Sequence, residues 1–372
     1  MKTLYFYLSI TFFFIFDSLF CQNIEIKFQK TIDSVYQQNK DAVGLLFHIE
    51  SPNNSISWSS SIGFSDKKTE QKLDKNQPVL VASNTKTFVA TAILKLVENG
   101  KITLNQPIKK LLSCKTKTIL EQDDYELNKI TIKHLLSHTS GIDDYVNDAY
   151  FDFINNNKQH KWTRNKQIKL SVKTGHYLSK PGEKFKYADI NYLLLTEIIE
   201  KITKQPFYKS IRNLIDYKKH HLNNTWFVDL EKKPINTKPL AHQYYNKYNW
   251  DSYDLNPSWD LFGGGGIAST TKDMALFFQA LFTGKIIKNK NLLVKMQTYS
   301  LPKEESGYYC LGIKKINFSG LEAYYHGGFW GTDVMYIPSL NTTITAFTLQ
   351  KEKRVLNATT SKLLIKILRN EK

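Results

Sequence analysis

The chain has 372 residues, 41% of them hydrophobic and 23% charged, which is ordinary for a globular protein and long enough for one large domain or two. No low-complexity run or repeat period is visible, so solenoids and disordered tails are excluded. The formal net charge of +17 suits an anionic envelope or an acidic substrate; the lysines are scattered and accompany no binding motif, which argues against nucleic acid.

Residues 1–21 read as a secretory leader: Lys2, an apolar run through Phe16, then Ser18-Leu19-Phe20-Cys21. Asp17 interrupts the run early, and its apolar core is short for a bilayer span, although an uncleaved anchor is the alternative. Phe20 suits lipid attachment at Cys21 badly, so cleavage after Cys21 is expected. Export to a periplasmic or extracellular location follows, with membrane association only if the leader is retained or Cys21 is lipidated. Lys2 and Asp17 cancel, so the mature chain keeps its whole charge. It also keeps Cys114 and Cys310, which nothing local pairs and which have no metal spacing.

A helix over 24–38 is followed by two strand-like runs, 42–49 and 55–63, with Ser51-Pro52-Asn53-Asn54 as the turn. A polar linker then leads to Val81-Ala82-Ser83-Asn84-Thr85-Lys86. Here an apolar helix opens whose inner face carries Val89, Ile93, Leu96 and Val97 at helical spacing. Lys86 stands one turn from Ser83, so its ammonium is brought beside the hydroxyl. A serine attacks a carbonyl only when a neighbour takes its proton, and a lysine with a depressed pKa can do so. The N–H groups of the helix start favour developing negative charge. Spacing alone leaves nucleophile and N-cap evenly matched, because Ser-x-x-Lys also occurs at Ser65, Ser269 and Ser300. Ser269 is the serious competitor, preceding a second apolar helix, where it reads as an N-cap.

Asn99-Gly100 stops the Ser83 helix. Residues 113–260 are rich in Asn, Lys and Tyr, with few strand alternations, and read as an inserted helical region. Within it, His134 and His138 stand four apart, but Leu135 replaces the glutamate that zinc motifs place after the first histidine. A structural helix ending in a Ser-Gly turn is the better reading. Tyr187 lies in a turn whose Asp189 N-caps the next helix, and a nearby lysine would lower its pKa. Gly263-Gly264-Gly265-Gly266 lacks the Gly-Lys-Ser/Thr ending of a phosphate loop and reads as a close-packed turn. Strands return at 308–317, 321–326, 332–338 and 342–350, followed by an amphipathic helix at 358–368. Strands at both ends with helices between predict an α+β fold, with one antiparallel sheet built from both termini and flanked by helices. The sheet part is 24–112 and 261–372, and the insertion 113–260. His326-Gly327-Gly328 sits at a strand, where glycines admit a close backbone approach.

Taken in order, Ser83-Asn84-Thr85-Lys86, Tyr187-Ala188-Asp189 and His326-Gly327-Gly328 resemble the three motifs of the serine β-lactamase and penicillin-binding-protein superfamily. The branch is that of class C β-lactamases, D-alanyl-D-alanine carboxypeptidases and related esterases, and the resemblance spans about residues 25–368. It implies the β-lactamase/transpeptidase-like fold and an acyl-enzyme mechanism in which Ser83 attacks while Lys86 and Tyr187 share the proton. It also implies an oxyanion hole from the backbone N–H groups of Ser83 and Phe329, substrate contacts at His326, Gly327 and Gly328, and no metal or organic cofactor.

There are two departures. Asp189 stands where the family often has asparagine and cannot donate to a substrate carbonyl when ionised, a role Asn191 would partly fill. His326 replaces the lysine of this branch's β-lactamases and carries little charge at neutral pH. Both argue against an efficient β-lactamase. The expectation is an exported serine hydrolase of a D-alanyl peptide or related amide or ester, with a small-ester esterase or a silent peptide-binding member as alternatives.

Overall fold

The computed structural model of the chain describes residues 24–123 and 125–370. The expected leader, with Cys21, lies outside the described residues. The first described helix, 24–37, leads into β1 (Gly44–Ser51) and β2 (Ile56–Asp66), the expected hairpin, and then into β3 (Gln71–Lys72) and β4 (Val79–Leu80). Short strands β5 (Trp226–Phe227), β6 (Tyr244–Tyr245), β7 (Trp250–Asp251) and β8 (Ile267–Ser269) follow far along the chain. The last are β9 (Lys314–Phe318), β10 (Leu321–Gly328), β11 (Thr332–Ile337) and β12 (Thr342–Thr348).

The principal sheet runs β3-β2-β1-β12-β11-β10-β9, with Leu45 opposite Thr348 where the two ends of the chain join. All its pairings are antiparallel, as expected. Strands β1 and β12 are buried on both faces, which places them in the middle of the sheet. On one face Leu45, Phe47 and Ile344 pack with Phe28 and Ile32 of the first helix and with Leu364 and Leu368 of the last, Val355–Asn370. On the other face Leu46, Val334 and Phe347 join a larger core with the helices Thr85–Glu98 and Thr271–Phe282. The expected apolar Ser83 helix is buried nearly all round, because that core encloses it.

Two expectations need correction. Of the strand predicted at 308–317, only Lys314–Phe318 pairs in the sheet; Gly307, Tyr308 and Gly312 take positive φ angles of 57°, 61° and 79°, which break an extended ladder. The region 113–260 is helical from Cys114–Glu121 to Phe207–Ile215, and beyond that it is loop with short strands, one of which (β5) pairs with β8. Cys114 is exposed, Cys310 is buried, and both are free thiols.

Candidate active site

A small sheet, β4-β8-β5, delivers the chain to Ser83. Val81 donates its N–H to Ile267, and Ala82 turns the backbone at φ 45° before the short turn Ala82–Asn84 passes into the helix Thr85–Glu98. Left-handed φ at a non-glycine residue costs about 1–3 kcal/mol and persists only where neighbours fix it. Asn84 fixes it here, its Nδ2 donating to Val81 O at 3.0 Å and to Thr332 Oγ1 at 2.9 Å. Gly328 completes the clamp, since a Cβ there would stand 2.2 Å from Val81 O. The elbow is thus gripped between β8 and the β10–β11 end of the main sheet.

Lys86 is fully buried, and its Nζ lies 3.0 Å from Ser83 Oγ, 2.6 Å from Gly264 O and 2.7 Å from Asp189 Oδ1. The expected depressed lysine pKa is corrected by this geometry. Burial opposes the charge, but the Asp189 carboxylate outweighs it, and Lys86 is held well above its ordinary value. Tyr187 packs tilted against His138, ring centroids 4.3 Å apart, and its ring centroid is 5.0 Å from Lys86 Nζ. Burial raises its phenol, and Lys86 recovers only part of the shift, so the expected lowering is also corrected. At rest, then, both groups hold their protons, and one must leave before Ser83 can be deprotonated. We expect kcat/KM to climb about tenfold per pH unit on the alkaline side of neutrality. A profile flat or falling from pH 7 to 9 would remove the pair from the role of base.

Ser83, Tyr187, His326, Gly327, Gly328 and Phe329 line one cleft of about 380 Å³. His326 is buried and keeps little charge: burial, then Lys86, push it well below its ordinary value. Its Nδ1 lies 3.1 Å from Gly327 O, which only accepts, so Nδ1 carries the proton and Nε2 accepts from Tyr309 Oη at 3.0 Å. Gly327 is bare because Arg354 lies over it, with Nη2 1.5 Å from where a Cβ would stand. Asp189 heads the helix Ile190–Thr203 but makes no side-chain cap; its carboxylate turns to Lys86 instead of to a substrate.

Other sequence candidates fall away from the cleft. Asn191 is fully buried, its Oδ1 accepting from Ser140 at 2.6 Å and its Nδ2 reaching His138 at 3.2 Å, so it offers a substrate no donor. Ser269 is buried in β8 against Thr225 Oγ1 at 2.9 Å, and the helix cap is Thr270. The helix carrying His134 ends at Leu136, His138 turns at φ 56°, and His134 Nδ1 accepts from the Thr131 N–H. Among the described residues no group of three His, Cys, Asp or Glu could hold a metal ion.

The structure adds residues that the motifs did not indicate. The glycine run supplies the Gly264 carbonyl to Lys86 and lets two carboxyls close in: a Cβ at Gly264 would meet Asp189, and one at Gly265 would meet Asp260. Burial and the Asp189 charge push Asp260 up to about 8 and raise Asp144 as well. Lys314, Tyr325 and Arg354 complete the cleft wall. The one local hint was Gly327, bare for a reason its own stretch does not reveal.

A mixed α/β fold with this antiparallel sheet and a Ser–Lys pair at the head of its central helix is the architecture of the β-lactamase/transpeptidase-like serine hydrolases. The chain belongs to the Beta-lactamase family, whose model matches residues 33–365. It is 32% identical over 206 residues to Protein flp of Staphylococcus aureus (strain COL), covering 55% of this chain but only 37% of that protein. It is 27% identical over 241 residues to the putative penicillin-binding protein PbpX of Bacillus subtilis (strain 168), covering 64% of this chain and 55% of that one. The chain thus spans about a third to a half of the length of these relatives. Its fold matches D-amino acid amidase from Ochrobactrum anthropi SV3, solved with L-phenylalanine amide, with a TM-score of 0.76 at 20% identity over 94% of this chain and 99% of that one.

Proposed function

We propose that the protein is an exported serine hydrolase that cleaves D-alanyl peptides, or related amides and esters, through an acyl-enzyme on Ser83. The reading rests on Ser83 Oγ lying 3.0 Å from Lys86 Nζ in a cleft that also holds Tyr187 and Phe329. Family membership supports it, as does the likeness to a putative penicillin-binding protein and, at the level of fold, to an amidase. Export rests on the leader-like residues 1–21.

Ser83 Oγ bonds to the scissile carbonyl carbon as its proton passes to the Lys86–Tyr187 pair. The oxyanion is received by the N–H groups of Ser83 and Phe329. Collapse breaks the bond to the leaving nitrogen or oxygen, which takes the proton from Tyr187, and water then releases the acid by the reverse path. Intact-mass spectrometry after exposure to a fluorophosphonate and, separately, to a penicillin tests this. We expect one adduct with each reagent on wild type and none on Ser83→Ala. Fluorophosphonate labelling alone would turn the reading towards an esterase. A folded wild type that neither reagent labels would leave a silent binder.

A further inference from the structure

Of the two expected oxyanion donors, Ser83 is fixed by its elbow, whereas Phe329 lies one residue beyond β10. The β10–β11 ladder ends at the pair Gly328–Thr332, so no ladder bond orients the Phe329 amide. Its ring is gripped instead. Phe151, from the helix Asp148–Asn156, stacks on it with centroids 5.5 Å apart. Tyr245, Trp259 and Trp330 meet it edge-on at 5.3, 5.4 and 5.1 Å. Over this cluster lies Lys351, its Nζ 3.7 Å from the Phe329 ring centroid, 3.8 Å from that of Tyr245 and 5.8 Å from that of Phe151. Lys351 follows β12 and opens the short turn Lys351–Lys353. Hydrogen bonds pin this turn to the Tyr245 strand: Tyr244 donates its N–H to Leu349 O at 2.8 Å, and Asn246 donates its own to Glu352 Oε1 at 2.8 Å. Burial disfavours the Lys351 charge, pushing the ammonium down to about 8, and Glu352 offsets only part of this. The ring faces hold what the carboxylate does not, since a partly desolvated cation is drawn strongly to an aromatic face.

We propose that Lys351 is a positioning residue for the oxyanion hole. Its ammonium, clamped against Phe329 and Tyr245, fixes the Phe329 ring and, through it, the N–H that receives the developing oxyanion. A donor held in place beforehand needs no rearrangement at the moment of reaction. Lys351 is not among the residues lining the cleft, so it acts through Phe329 and not on the reacting atoms. This assignment rests on the hydrolase reading above, in which the Phe329 N–H is one of two donors.

The test is the rate at which a fluorophosphonate labels Ser83 in wild type, Lys351→Met, Lys351→Arg and Lys351→Ala, with a melting curve for each. Labelling builds negative charge on an oxygen of the attacked centre, so it reads the oxyanion hole. A reacting geometry displaced by about 1 Å can cost about a hundredfold, and a loosened Phe329 should cost about tenfold. We expect that loss in Lys351→Met, and labelling near the wild-type rate in Lys351→Arg, whose guanidinium also binds ring faces. n-Propylammonium should restore part of the rate of Lys351→Ala and n-propanol none, because the rings need a cation and not only a filler. A folded Lys351→Met that labels at the wild-type rate overturns the assignment and leaves the nucleophile standing. Equal rescue by the alcohol overturns it too, as does a folded Lys351→Arg as slow as Lys351→Met. Should Lys351→Met fail to fold, Tyr245→Leu carries the same expectation, since it removes one face of the clamp, and wild-type labelling by it is equally fatal. If wild type itself is not labelled, the hydrolase reading falls and takes this assignment with it.

Discussion

Replacing Lys86 by methionine is expected to abolish acylation of Ser83 and, at the same time, to destabilise the fold by about 3–5 kcal/mol, the cost of breaking a buried ion pair by removing one partner. Lys86 is fully buried, and its charge is held by Asp189 at 2.7 Å and by the Gly264 carbonyl at 2.6 Å. Taking it away strands a carboxylate in a pocket that also contains Asp144 and Asp260, so no cation remains at its centre. The kinetic and structural effects separate in a double variant. Lys86→Met with Asp189→Asn removes both charges and should recover most of the lost stability, because two neutral groups of similar volume need no counter-ion. It should recover none of the acylation, since the ammonium 3.0 Å from Ser83 Oγ is still absent. Denaturant titration and fluorophosphonate labelling of wild type, both single variants and the double variant make the comparison. A double variant no more stable than Lys86→Met would mean that the Lys86–Asp189 contact carries little energy. Labelling at the wild-type rate in Lys86→Met would remove the lysine from the chemistry.

This pair also shows where reading the sequence succeeded and where it did not. Ser83 and Lys86 were legible because their relation is local: three residues on a helix bring side chains together whatever the rest of the chain does. Tyr187 and His326 were legible only through the order of the three motifs. The error at Asn191 is one of helical phase. Two residues turn a helix by about 200°, so once Asp189 faces Lys86, Asn191 must face away, into Ser140 and His138. The expected depressed pKa of Lys86 failed for a related reason. A lysine beside a serine reads as a base, but Asp189 comes from about a hundred residues further along, and its approach depends on Gly264 having no side chain. Lys314 and Arg354 were beyond local reading altogether. Their stretches carry no motif, and both reach the cleft only because β9, β10 and the last helix close on the same edge of the sheet as the Ser83 elbow.

Relative to wild type, Asp260→Asn is expected to gain stability from pH 5 to pH 8. Burial, reinforced by the Asp189 charge and only partly offset by Lys86, pushes the Asp260 carboxyl up to about 8. In the unfolded chain the same carboxyl ionises near pH 4. Between those values the native state holds a proton that the unfolded state has released, so unfolding gives up a proton and stability declines as pH rises. An isolated group with this shift would lose about 1.4 kcal/mol per pH unit. Partial exposure of Asp260 and relaxation around it bring the expected loss between pH 5 and 8 to about 2 kcal/mol. Any constant cost of placing an amide against Gly265 cancels when the variant is compared with wild type at both pH values. Urea midpoints at pH 5 and 8 would show the gap moving in the variant's favour by that amount. Parallel changes in the two proteins would mean that Asp260 is already ionised at pH 5. The direction also bears on catalysis. Loss of a proton from the Lys86–Tyr187 pair demands a rising pH, while the carboxyls packed around that pair favour a falling one. The same burial that holds Lys86 against Ser83 therefore sets activity and stability against each other on the alkaline side, and Asp260→Asn should extend the range of pH over which the enzyme survives long enough to turn over.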